Sequence, residues 1–295
     1  MATTSPSCCA ACGIVEKDDV TLKNCTACYL VKYCGIKCQK DHRKHHKREC
    51  KKRAAELRDE LLFKQPESTH YGDCPICTLP LSLDNLKSTM YSCCSKYICD
   101  GCRCANEKRE DERRIEHTCP FCREPVADSL EESSKSRMKR IEANDPVAMR
   151  HLGVEKIEEG GFTIAFEWFA KAAELGDVEA HYFLSNMYHN GEGVEKNWKK
   201  ENYHLEEAAI GGHHLARFNL GCEEWKKGNT DRALKHFMIA AALGDDKSIK
   251  ALMHEFKNGN CDKSDLDAAL RAHQAAIEAT KSPQREMAKV YHRNE

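Results

Sequence analysis

Cysteine is the residue type that could do chemistry in this chain, and it is concentrated at one end. Of 19 cysteines, 17 fall between Cys8 and Cys122. Five pairs share the spacing C-x-x-C: Cys9 and Cys12, Cys25 and Cys28, Cys74 and Cys77, Cys99 and Cys102, Cys119 and Cys122. Two intervening residues let a tight turn aim both thiolates at one ion. Dense cysteines also serve disulfides, so the compartment matters. The opening MATTSPSCCAAC has no basic n-region and no apolar h-region, which predicts no secretory signal. No apolar run approaches the about 18 residues of a membrane helix, so no membrane is expected. The expected setting is reducing, cytoplasmic or nuclear, where paired C-x-x-C motifs read as zinc sites.

The first group lies in residues 8–50. Cys9-x2-Cys12-Gly13 and Cys25-x2-Cys28 are followed by Cys34-x3-Cys38 and His46-x3-Cys50. A gap of three residues is i, i+4 on a helix, so both ligands share a face. The run from Lys37 to Arg53 is helix-permissive and can supply that face. Eight ligands make two tetrahedral sites, with Cys8 and His45 as alternatives to Cys9 and His46. About 45 residues bury too little apolar surface to fold reliably alone. Structural zinc can add on the order of 10 kcal/mol of apparent folding free energy.

The order C-x2-C, C-x2-C, Y-C-x3-C-Q, H-K-x2-C resembles the MYND zinc finger. It is carried by Cys9, Cys12, Cys25, Cys28, Tyr33, Cys34, Cys38, Gln39, His46, Lys47 and Cys50. The resemblance implies interleaved ligation: Cys9, Cys12, Cys34 and Cys38 on one zinc, Cys25, Cys28, His46 and Cys50 on the other. It also implies a protein-interaction module that receives short proline-containing peptides. Arg43 stands where the family usually has tryptophan. No segment reads as the methyltransferase domain that some such proteins carry.

The second group lies in residues 73–127: Cys74 and Cys77, Cys93 and Cys94, Cys99 and Cys102, Cys119 and Cys122. This series resembles an all-cysteine RING-type finger, with Cys94-x4-Cys99-x2-Cys102 at its centre. The cross-brace so implied puts Cys74, Cys77, Cys99 and Cys102 on one zinc. Cys93, Cys94, Cys119 and Cys122 take another, giving four zinc ions in all. Lys96 stands where the family's histidine would be, and a protonated ammonium has no lone pair to donate. Neighbouring side chains of an extended chain point apart, so Cys93 and Cys94 can share an ion only if the backbone turns, which Ser92 and Ser95 permit. Cys104 and His117 are fallback ligands.

A RING-type ligase binds a ubiquitin-conjugating enzyme and positions its ubiquitin, with no covalent catalysis of its own. By the resemblance, Ile76 and Pro120 are contact candidates for that enzyme. Arg123 is the candidate donor to both ubiquitin and its carrier. The long charged insert RCANEKREDERRIEHT would extend the finger's helix.

The elements that must position these residues come next. Arg53–Phe63 reads as a short helix and KQPESTH as a loop, within a helical linker over residues 55–72. Asp128–Arg140 reads as a polar connector inside a linker over residues 128–143. Beyond it the chain repeats. Asp145-Pro-Val-Ala, Asp177-Val-Glu-Ala, His213-His-Leu-Ala and a weaker Asp245-Asp-Lys-Ser open four blocks. Leu152, Leu184, Leu220 and Leu252 hold one equivalent position, 32, 36 and 32 residues apart. That period signals a solenoid of helical hairpins over residues 144–295. Paired alanines (Ala172, Ala173, Ala208, Ala209, Ala240, Ala241) allow close helix approach, and Gly176, Gly212 and Gly244 end helices. With the loop Asn190–Val194, the pattern resembles Sel-one-like repeats, relatives of tetratricopeptide repeats. The first and fourth blocks read as degenerate ends.

The fold class expected is therefore two small zinc-stabilised cross-brace modules, over residues 1–54 and 73–127, followed by an all-α helical-repeat solenoid. Three interaction modules predict an adaptor. The favoured function is a RING-type ubiquitin–protein ligase whose finger or repeats recruit partners. The rival is a non-catalytic zinc scaffold or transcription-related adaptor. The run Lys40–Arg53 has eight Lys or Arg against two acids, yet the net charge is −1 and no aromatics interleave. It reads as a solvated helix face, with nucleic acid an unlikely partner. His213 and His214 lack cysteines or acids at ligand spacing and read as packed or solvated.

Overall fold

A computed structural model describes residues 7–291. The chain divides into two compact units, Met1–Lys64 and Gln65–Glu295.

In the first unit, β1 (Lys23–Asn24) pairs antiparallel with β2 (Lys32–Tyr33), and α1 (Ile36–Leu62) follows. The two helical stretches expected from sequence are one continuous helix of 27 residues. The buried set is small: Cys9, Leu22, Cys25, Cys28 and Tyr33, three of them cysteines. So little apolar burial leaves metal as the natural source of stability.

The second unit begins with a hairpin, β3 (Ser88–Tyr91) and β4 (Lys96–Cys99), in register Ser88 to Cys99 through Tyr91 to Lys96. It leads directly into α2 (Asp100–Arg113). Leu81, Ile98 and the thiols of Cys74, Cys99 and Cys102 form its core. The segment read as a polar connector holds α3 (Leu130–Glu142), capped by Ser129 and anchored by buried Ile141.

Four helical hairpins follow: α4 (Pro146–Glu158) with α5 (Phe162–Glu174), α6 (Val178–Asn190) with α7 (Trp198–Ile210), α8 (His214–Lys226) with α9 (Thr230–Ala242), and α10 (Asp246–Lys257) with α11 (Lys263–Ala279). The residue that opens each block is the N-cap of its first helix. Asp145, Asp177 and Asp245 accept backbone N–H bonds through a carboxylate, and His213 through its ring. These contacts satisfy donors the first turn leaves unpaired. The four equivalent leucines are 8%, 1%, 4% and 0% exposed, so they form the axis of the core. Gly176, Gly212 and Gly244 have φ of +90°, +87° and +97°, a conformation a side chain would strain.

A last helix, α12 (Pro283–Tyr291), packs on α2, so the second unit closes on itself. Among the described residues, no helix is long and apolar enough to cross a membrane.

Candidate metal centres

Four groups of ligand atoms converge, each with all members within 4.8 Å of one another. They are Cys9, Cys12, Cys34 and Cys38; Cys25, Cys28, His46 and Cys50; Cys74, Cys77, Cys99 and Cys102; and Cys93, Cys94, Cys119 and Cys122. In both units the first pair joins the third and the second joins the fourth.

The spacing within each group fits zinc. Tetrahedral zinc with four thiolates sets neighbouring sulfurs about 3.8 Å apart. Sγ–Sγ distances here are 3.6 Å for Cys12 and Cys34, 3.8 Å for Cys25 and Cys50, 3.7 Å for Cys77 and Cys99, and 3.7 Å for Cys94 and Cys119. Cys93 and Cys122 are closer, at 3.3 Å. His46 Nε2 lies 3.1 Å from Cys28 Sγ, so this ring nitrogen faces the thiols.

One turn builds four of the pairs. The N–H of the residue four after the first cysteine donates back to that cysteine's carbonyl: Gly13 to Cys9, Tyr29 to Cys25, Thr78 to Cys74 and Arg123 to Cys119. All four of those residues have positive φ, from +57° to +75°. Three are not glycine, so they accept a conformation L-residues avoid. The turn leaves the backbone N–H groups between the cysteines pointing at sulfur. Their effect is visible in the thiol acidities. Burial raises the pKa of Cys9 and of Cys25, but backbone N–H groups outweigh it and bring each to about 6. Cys74 falls to about 4, chiefly through the Cys99 thiol and then N–H groups of its own turn. Neighbours move the other way: Cys38 rises to about 12 beside Cys34, and burial pushes Cys93 up strongly. Such crowded thiols cannot all ionise unless a cation sits among them.

The adjacent pair Cys93–Cys94 lies in the four-residue turn Ser92–Ser95 between β3 and β4. Ser95 takes φ +55° and its N–H bonds Tyr91 O at 2.8 Å. The turn removes the alternation that would send the two thiols apart. The alternatives lie elsewhere: Cys8, His45 and Lys96 are exposed, Cys104 is buried on α2, and His117 faces Glu110 and Asp111. None belongs to a convergent group.

Around the second module, Ile76 is 43% exposed and Phe121 45%. Pro120, a contact candidate by sequence, is buried. The Arg123 side chain is exposed, and its Nη1 donates to Asn106 Oδ1 at 2.8 Å. Asn106 Nδ2 in turn donates to Thr118 O, so the arginine is oriented by a network joining α2 to the last cysteine pair.

A further cluster, His70, Glu179 and His213, also lies within 4.8 Å. Its geometry argues against a metal. His213 Nδ1 accepts the Ala216 N–H at 3.2 Å, which places the ring proton on Nε2 and leaves no lone pair there to ligate. The His70 and His213 rings stack with centroids 4.2 Å apart, so their lone pairs do not converge. Glu179 pairs with Arg150 Nη1 at 3.1 Å.

Sequence reasoning missed the residues that bind the second module to the repeats. His70 N donates to Gly212 O. Tyr97 OH meets His151 Nε2 at 2.9 Å and Arg150 Nη2 at 3.2 Å. Arg285, on α12, donates to Pro80 O at 2.7 Å, Leu79 O at 3.1 Å and Cys77 Sγ at 3.4 Å. At Gly101 a Cβ would stand 2.9 Å from the Arg285 backbone, so only glycine allows that approach. The one local signal for α12 is Ser282-Pro283, whose hydroxyl caps the helix by accepting Arg285 N–H.

Comparison with known proteins identifies two of the three regions. Residues 9–50 match the MYND finger family. Residues 146–177, 178–213 and 215–245 match the Sel1 repeat family, including the first block, which reads as degenerate from sequence alone. The chain thus carries a MYND finger, which implies zinc, and an array of Sel1 repeats. Both are protein-interaction modules. It is 33% identical over 76 residues to "DAP3-binding cell death enhancer 1" of Rattus norvegicus, covering 26% of this chain and 15% of that one. To the Mus musculus protein of the same name it is 25% identical over 197 residues, 53% of this chain and 39% of that one. It therefore spans well under half the length of these relatives. Among solved structures it is similar to a Sel1 repeat protein from Oxalobacter formigenes (TM-score 0.44, 27% identity, 52% of this chain and 66% of that one). It is also similar to c5321, a protective antigen with an SLR fold from uropathogenic Escherichia coli (TM-score 0.40, 24% identity, 56% and 36%).

Proposed function

We propose that residues 73–127 form a RING-type finger, and that the chain is a ubiquitin–protein ligase whose MYND finger and repeats recruit protein partners. The observation that carries this reading is the interleaved second pair of thiol clusters, built on the same turn as the MYND finger, with Ile76, Phe121 and Arg123 exposed around it. Zinc, two ions per module, would supply the fold of the ligand loops. The chain's own residues would do the rest. Ile76 and Phe121 offer apolar contact to a ubiquitin-conjugating enzyme. Arg123, held by Asn106, presents guanidinium donors that can bridge the enzyme and its ubiquitin and fix the thioester for attack by a lysine. The relatives are named for binding DAP3, in keeping with a protein partner for this chain.

The same region also favours a second reading, a non-catalytic scaffold. Pro120 is buried, and Arg123 already serves an internal hydrogen bond. Lysine discharge from a ubiquitin-charged conjugating enzyme separates the two. Under the ligase reading the full chain accelerates discharge, and Ile76→Ala weakens enzyme binding at a cost of about 1–3 kcal/mol. Arg123→Ala lowers discharge with binding little changed. Inactivity with every conjugating enzyme in a broad panel leaves the scaffold.

A further inference from the structure

The exposed cations of α1 are not spread evenly round the helix. At about 100° per residue, Ile36, Lys40, Arg43, Lys47 and Lys51 fall on one face. Asp41 and Glu49, the acids of this stretch, lie roughly 120° or more away from its centre. That face borders a groove of about 400 Å³. It is lined by Ala27, Tyr33, Ile36 and the four cations, and by three of the finger's proposed ligands, Cys25, His46 and Cys50. All four cations are exposed, and among the described residues none has an acidic partner within ion-pair distance. Further along the same helix the pattern changes: Lys52 and Arg53 are paired with Glu56 and Glu60. Lys37, Lys44 and Arg48 are also exposed and, among the described residues, have no acidic partner within ion-pair distance; what sets Lys40, Arg43, Lys47 and Lys51 apart is that they line the groove together.

We infer that this groove docks a short acidic peptide segment in which carboxylates flank an apolar side chain. The apolar side chain would lie on Ile36 and on the aliphatic stems of the lysines, which extend the apolar lining while their heads stay in water. The flanking carboxylates would meet Lys40, Arg43, Lys47 and Lys51. A nucleic acid fits less well. Single strands bind by stacking bases on exposed rings, and the two rings that line the groove, Tyr33 and His46, are both buried. The inference rests on the reading of the finger as a peptide receiver and adds the charge of the peptide.

The test is fluorescence anisotropy with the zinc-loaded full chain. The probe is a synthetic peptide with Glu-Glu on each side of a central Pro-Leu; its competitors are the same peptide with Gln for Glu and an oligothymidylate. The acidic peptide should bind about tenfold more tightly than its neutral twin, and less tightly as salt rises. Lys40→Glu with Arg43→Glu should abolish that preference. Lys44→Glu with Arg48→Glu makes the same charge change outside the groove and should leave most of it. Zinc content, measured for each variant, shows that the finger is intact. Equal binding of the acidic and neutral peptides overturns the charge inference and leaves the peptide-receiver reading standing. Binding of neither peptide overturns both. Equal loss in the two double variants reduces the effect to unspecific attraction and overturns the groove, as does tighter binding of oligothymidylate.

Discussion

At the scale of single residues, the ligands were legible because their signal is local. A C-x-x-C pair needs one turn, and four of the five pairs here are made by one turn with positive φ four residues after the first cysteine. Cys93 and Cys94 were the difficult case, since adjacency is compatible with a shared ion only through a turn such as Ser92–Ser95. Arg285 could not be read, because it meets Cys77 across 208 residues. Nor could the buried histidines. His151 is held neutral, its pKa lowered from 6.5 to about 3, first by burial and then by the charges of Arg150 and Arg137, against which Asp145 works weakly. A depressed folded-state pKa means that the unfolded chain takes up the proton more readily. The stability His151 contributes is therefore complete above about pH 6.5 and is lost as pH falls toward 3. The melting temperature of the full chain in excess zinc should fall between pH 7 and pH 5. It should fall less steeply in His151→Gln, which keeps an acceptor for Tyr97 and removes the titration. Parallel slopes would show that this histidine does not govern the effect.

At the scale of elements, the hairpins were legible where caps and apolar positions recur together. Asp145, Asp177, His213 and Asp245 open helices that bury Leu152, Leu184, Leu220 and Leu252. α3 escaped because it is polar, with Ile141 its one buried residue. α12 escaped because its partner is α2 and not a neighbouring repeat. That contact gives α12 a definite task. Its arginine closes the loop Cys77–Pro80 by three donors, one of them directed at a proposed zinc ligand. Groups that hydrogen-bond a metal ligand typically affect affinity by about ten- to a hundredfold. Arg285→Ala should accordingly release zinc from the second module to a chelator about tenfold faster, with Arg285→Lys between it and the native chain. Unchanged release would reduce α12 to a packing element.

At the scale of the molecule, two dependences on metal differ. The first unit has little core besides its thiols, so it should unfold when zinc is removed. The second unit is mixed. Its two large helical cores comprise residues from Ile141 to Met187 and from Ala233 to Ala269, with partly buried neighbours, and none is a proposed zinc ligand. Yet the second module is bonded to this array through His70, Tyr97 and Arg285. A chelator should therefore cost the circular dichroism signal of α1 and α2 while the repeats stay helical and melt at a lower temperature. Wholesale loss of helicity would mean that the repeats need the zinc module to fold. Native mass spectrometry of the intact chain counts the occupants of the four convergent clusters directly. Four zinc ions are expected, falling to three or fewer in Cys94→Ser and remaining four in Lys96→Ala. Two ions in the native chain, both in residues 9–50, would contradict the second module as a zinc finger and with it the proposed ligase.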